Sequence, residues 1–199
     1  MSFYSTIEQE GVAEFKEKGS KFLAYSFPLT DAKELKKILQ KLKKEHPKAA
    51  HFCLAYRIGT DGNNFRSMDD GEPAGCAGKP ILGQIDSKEI TDVIIIVVRY
   101  FGGTLLGVPG LINAYKTAAT MALQVVPIVR KPILRKYNLQ FDYTQMNEVL
   151  VILKQYLCNI ISQENQLFTT IKVGIPIERL DEVLYKLTNL RNVEVMILL

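Results

Sequence analysis

Val93-Ile94-Ile95-Ile96-Val97-Val98-Arg99-Tyr100 is the stretch on which the fold turns. A near-continuous β-branched run with no polar alternation predicts a central strand buried on both faces, and so a sheet with cover on each side. The apolar part, Val93 to Val98, is too short to span a bilayer. Downstream, Gly102, Gly103, Gly107 and Gly110 punctuate a loop, and Leu111 to Val125 reads as an alanine-rich helix. Upstream, Ala77 to Ile85 fits a short helix with Pro80 in its first turn. Asp69 to Gly75 breaks both periods, and His51 to Ile58 reads as a further strand, ahead of the loop Asp61-Gly62-Asn63-Asn64.

Nearer the N-terminus, Gly11 to Glu17 and Lys21 to Pro28 are two strands joined at Gly19-Ser20. Asp31 caps a helix running to about His46, which Pro47 stops. Leu35, Ile38, Leu39 and Leu42 make its apolar face, and Lys33, Lys36, Lys37, Lys41, Lys43 and Lys44 crowd the rest.

A break falls near Val126-Pro127, and the remaining residues parse as a second unit. Leu134 to Asp142 alternates as a strand. Thr144 is placed to cap a helix whose buried face is Met146, Val149, Leu150, Leu153 and Leu157. Asn159 to Gln163 and Leu167 to Ile175 form a hairpin around Glu164-Asn165. Ile177 to Leu190 is a helix, and Val193 to Leu198 closes as a strand. This β-α-β-β-α-β order is the ferredoxin-like pattern. The expected class is therefore α+β, with separate cores over residues 1–126 and 130–199.

The sequence holds 25 Lys and Arg against 21 Asp and Glu, a net charge of +4. Residues 1–127 carry 16 and 14 of these and residues 128–199 carry 9 and 7, so each part contributes +2. A dedicated nucleic-acid binder has a stronger basic bias, so charge alone lends RNA only weak support. Cys53, Cys76 and Cys158 are odd in number and form no CxxC, which fits a reducing compartment. MSFYSTIEQEG has neither the basic nor the apolar region of a signal peptide. The expected location is the cytoplasm, with no membrane partner.

Four places carry chemistry. Asp69-Asp70-Gly71-Glu72 packs three carboxylates into four residues ahead of Gly75, Gly78 and Lys79. Backbone N–H groups at the following helix start could cradle an oxyanion, or the acids could be solvated in a tight turn. Arg99-Tyr100-Phe101-Gly102-Gly103 offers a recess at a strand end, the place where ligands favour binding. It reads equally as an ion pair of Arg99 with Asp69 or Asp70, with Tyr100 and Phe101 in the core. His51 and Cys53, two apart on a strand, face one side and lack the further ligands a metal needs; a wall-lining pair is favoured over a nucleophile. The lysine helix suits phosphates through Lys33, Lys36, Lys37, Lys41 and Lys44, or is simply a solvated face. No HExxH, GxSxG, GxGxxG or Walker loop is present, and no general base is identifiable, so the reading leans away from an enzyme. Geometry is expected to bring Asp69, Asp70, Glu72, Lys79 and Arg99 to one pocket with Gly102 and Gly103, and Tyr100 and Tyr115 are counted with them as ligand-binding residues.

The runs DDGEPAGCAGKPIL and VVRYFGGTLLGVPGLINAYKTAA, approached by KGSKFLAY and HFCLAYRIG, resemble the signature of the IMPACT/YigZ family. The resemblance covers residues 1 to about 126, and the tail from Arg130 resembles the small C-terminal domain of the bacterial members. It implies a first domain like domain 2 of ribosomal protein S5 and a tail like the last domain of elongation factor G. It also implies an association with translation. Eukaryotic members regulate translation under amino-acid starvation by competing for an activator of an initiation-factor kinase, using an extra domain that this sequence lacks. The expected function is thus a translation-associated binding protein with RNA, the ribosome or a protein as partner and no cofactor. The alternative is an enzyme or sensor holding a phosphorylated small molecule in the glycine-rich loops. Cys76 departs from the small hydroxyl residue common there. Val108-Pro109 departs from small residues and should stiffen the loop before Gly110.

Overall fold

The computed structural model describes residues 2–198. These divide into two compact units, Tyr4–Lys131 and residues 132–198 together with residues 2–3. In the first unit, β2 (Gly11–Glu17), β3 (Ser20–Pro28), β6 (Val93–Tyr100), β4 (His51–Ile58) and β5 (Asn64–Met68) form one sheet in that order. β6 lies in the middle, antiparallel to both β3 and β4. Its unbroken aliphatic sequence follows from this place, because each of its faces is roofed. Ile94, Ile96 and Val98 pack beneath α1 (Leu35–Glu45) with Leu42. Val93, Ile95 and Val97 alternate with them and face α2 (Gly78–Ser87) and α3 (Gly107–Gln124) on the opposite side.

Asp31 accepts the Lys33 N–H and opens a 3-10 turn, Ala32–Glu34, that leads into α1. α3 begins at Gly107, earlier than expected. Gly107, Pro109 and Gly110 belong to its first turn, where a proline's missing N–H removes nothing. Val108 and Pro109 therefore start a helix and do not stiffen a loop. Two further strands, β1 (Phe3–Ile7) and β7 (Ile128–Pro132), pair in a small separate ladder.

In the second unit, β8 (Leu134–Phe141), α4 (Met146–Gln155), β9 (Asn159–Asn165), β10 (Thr169–Pro176), α5 (Leu180–Thr188) and β11 (Val193–Ile197) reproduce the β-α-β-β-α-β order. The sheet order is β11-β8-β10-β9 with antiparallel neighbours. Its core gathers Leu139, Phe141, Val149, Leu153, Ile171 and Val183. Three details differ from expectation. Thr144 lies inside a 3-10 turn, Tyr143–Gln145, with Asp142 at its cap position. Leu157, at positive φ just past α4, is 83% exposed and leaves the helix's buried face. The hairpin turns at residues 166–168, because β9 runs on through Glu164 and Asn165. No helix among the described residues is long and apolar enough to cross a membrane.

Candidate functional site

The loop after β5 is held by its own acids, each used differently. Asp69 turns back to the start of α2, whose local cap position is Ala77, a residue with no capping side chain. Its carboxylate accepts the N–H groups of Gly75 (2.9 Å), Ala77 (3.0 Å) and Gly78 (2.8 Å). Burial works against its charge, but these three N–H groups, aided by Lys79, hold its pKa below the ordinary carboxylate value. Asp70 accepts the Phe52 N–H at 2.7 Å, and its carbonyl accepts from His51 Nδ1 at 2.8 Å. The backbone pays for these contacts in conformation, with Asp70 and Gly71 both at positive φ.

Glu72 goes inward. It is 9% exposed, and its Oε1 accepts from Arg99 Nη1 and, at 2.6 Å, from the Tyr115 hydroxyl. Arg99, 5% exposed, lies 5.4 Å from the Phe22 ring centroid and 5.6 Å from that of Phe101. These aromatic contacts offset part of the cost of its buried, unpartnered Nε. A second guanidinium nitrogen reaches Ser20 Oγ at 3.4 Å, which also accepts the Gly102 N–H at 3.2 Å.

His51 and Cys53 join the same assembly. His51 Nε2 stands 3.8 Å from Glu72 Oε1. Its Nδ1 must carry a proton, because the Asp70 carbonyl can only accept. Cys53 Sγ lies 2.9 Å from the Asp69 carbonyl and 3.3 Å from the Tyr115 hydroxyl. Burial pushes the Cys53 thiol up to about 12 and raises Tyr115 as well, so neither is a ready nucleophile or base.

Glu72, Arg99 and Tyr115 thus meet directly, and Gly102 joins them through Ser20. Asp69 and Asp70 position the loop, leaving Glu72 as the partner of Arg99. Lys79 is exposed, and Gly103 stands at positive φ with open space around it. Tyr100 faces the other side of the sheet, where its hydroxyl bonds His46 Nδ1 at 2.9 Å. Phe101 is 51% exposed and lies outside the core. Nothing in the sequence singles out Ser20, which within Gly19-Ser20 reads only as a turn residue.

Asp69→Ala should destabilise the first unit by about 2 kcal/mol at neutral pH, the upper range for a lost cap. The sign follows from the lowered pKa. Asp69 stabilises the fold above its unfolded value of about 4, and this is lost as pH falls through the lower folded value. The melting difference between parent and variant should therefore shrink below about pH 4. Thermal melts at a series of pH values check this; a difference constant with pH would remove the charge from the explanation.

These features define a class: a two-unit α/β protein whose glycine-rich loop is pinned to its central strand by a buried Arg–Glu–Tyr cluster. Residues 18–123 match the Impact N-terminal domain, and the chain belongs to the IMPACT family. It is similar to IMPACT family member YigZ of Escherichia coli, 34% identical over 86% of this chain and 85% of that protein. Protein IMPACT homolog of Saccharomyces cerevisiae is 35% identical over 46% of this chain and 36% of its own length. A crystal structure of a hypothetical protein superposes with a TM-score of 0.78 at 30% identity, covering 100% of this chain and 98% of that one.

Proposed function

We propose that this chain is a translation-associated regulatory binding protein that contacts RNA phosphates through α1. The translational part rests on the family resemblance, which implies an association with translation. The contact rests on one observation. Lys33, Lys36, Lys37, Lys41, Lys43 and Lys44 are all exposed, and none has a carboxylate within ion-pair distance among the described residues. Lys37 and Lys41 stand about 6 Å apart along the helix, comparable with neighbouring phosphates on a strand, and Lys33 precedes them in the 3-10 turn. Such a row supplies affinity without base recognition.

The alternative, a sensor or enzyme for a phosphorylated small molecule, needs free N–H groups at the start of α2. Asp69 occupies those of Ala77 and Gly78, so a phosphate seated there would have to displace a carboxylate already in place.

The test is co-sedimentation with ribosomes over a salt series. Binding should fall with salt, each displaced phosphate adding roughly 0.7–0.9 to the log–log slope. Lys37→Glu/Lys41→Glu/Lys44→Glu should weaken it about tenfold or more and flatten the slope. Salt-independent binding, or full binding by the charge-reversed variant, overturns the reading.

A further inference from the structure

The flank of α1 differs from its crest. Ala32, Leu35 and Leu39 floor a shallow groove of about 570 Å³, bounded by Lys33, Lys36, Gln40 and Lys43. The floor residues are only half-buried against the core beneath. From Leu35 to Lys43 the groove runs about 12 Å along the helix axis, enough for two turns of a docked helix. Phosphate contact accounts for the lysines but gives no use to an aliphatic floor. A duplex buries its base faces in its own stack, and single-strand platforms are floored by aromatic rings; here the floor is leucine and alanine. Apolar floor and cationic rim together complement a helix with leucines on one side and carboxylates beside them.

We infer that this groove docks an acidic amphipathic helix of a protein partner, seated on Leu35 and Leu39 and clamped by Lys36 and Lys43. The inference extends the reading in which α1 is the contact surface, but it does not require RNA. Lys33, Lys36 and Lys43 border the groove and also belong to the lysines assigned to phosphate, so a docked acidic helix neutralises cations that phosphate would otherwise use. Protein docking and RNA contact should therefore compete, which gives a binding regulator a way to be displaced.

Fluorescence anisotropy on the full chain tests this with three probes: a labelled Glu/Leu peptide of helical periodicity, the same composition in scrambled order, and a labelled oligouridylate. The periodic peptide should bind about tenfold tighter than the scrambled one. Lys36→Glu/Lys43→Glu should remove about tenfold or more of that affinity, with a fall in melting temperature of only about 2–4 °C, because the Lys43 ammonium also lies 5.5 Å from the Phe52 ring centroid. Leu39→Asn should abolish the preference for periodic over scrambled order while leaving weak attraction to both. Unlabelled oligouridylate should displace the periodic peptide. Equal binding of the two peptides, binding of oligouridylate alone, or indifference to the Lys36/Lys43 reversal each overturns the inference. Absence of RNA binding with the peptide result intact would remove the phosphate reading and leave this one standing.

Discussion

Arg99→Ala is expected to lower the stability of the first unit by about 3–5 kcal/mol, because it strands the buried Glu72 carboxylate without its counter-charge. In melting temperature this is a fall of about 10–20 °C for a unit of this size. Tyr115 would remain as the one hydroxyl donor to Glu72 Oε1, and one neutral hydrogen bond does not replace a guanidinium. Arg99→Met/Glu72→Leu should recover much of the loss, since a buried pair exchanged for apolar residues of similar size is often neutral. A purely ligand-binding Arg99 makes the opposite forecast: binding lost, melting unchanged. Denaturant titrations of the three proteins separate these. A melting point within about 2 °C of the parent for Arg99→Ala would show that Glu72 is satisfied without its arginine.

Gly102→Ala is expected to be as damaging, by a different route. A Cβ at Gly102 would lie 1.9 Å from the carbonyl carbon of Gly19 and 2.3 Å from the Ser20 nitrogen. Both are backbone atoms, so the chain at the start of β3 must move, and Ser20 Oγ leaves Gly102 and Arg99 with it. The expected loss is about 4 kcal/mol or more, in the range diagnostic of a broken core contact. Gly103→Ala is the control. Gly103 has φ of +86° and nothing near its added methyl, so only the conformational penalty of about 1–2 kcal/mol applies. Thermal and denaturant melts of both variants check this. Equal losses at the two positions would mean that φ, not crowding, governs this loop.

The middle of the first unit's sheet is legible in the sequence and its margins are obscure, for physical reasons. An aliphatic run such as Val93–Val98 has few homes other than a doubly covered strand, and α1 carries its face in its spacing. β5 is nearly all exposed and has no buried side to print an alternation; only pairing with β4 makes it a strand. β1 and β7 are five residues each and find one another across most of the first unit. At the site, adjacency in sequence could not say which of three acids would turn inward. The placement of Tyr100 is readable, since neighbours on a strand point to opposite faces and Arg99 and Tyr100 cannot share one.

The position of β6 also sets a timetable. Its partners on β3 lie up to about 80 positions earlier, as Lys21 and Tyr100 show. As the chain emerges during synthesis, β2 and β3 can close a hairpin early, but the inner edge of β3 keeps its N–H and C=O groups unpaired until residue 100 has cleared the exit. An open edge of that kind is where strands from other chains add. Nascent molecules should therefore pass through a sticky interval that ends abruptly when the middle strand arrives, and truncations ending before it should accumulate as aggregates or in complex with chaperones.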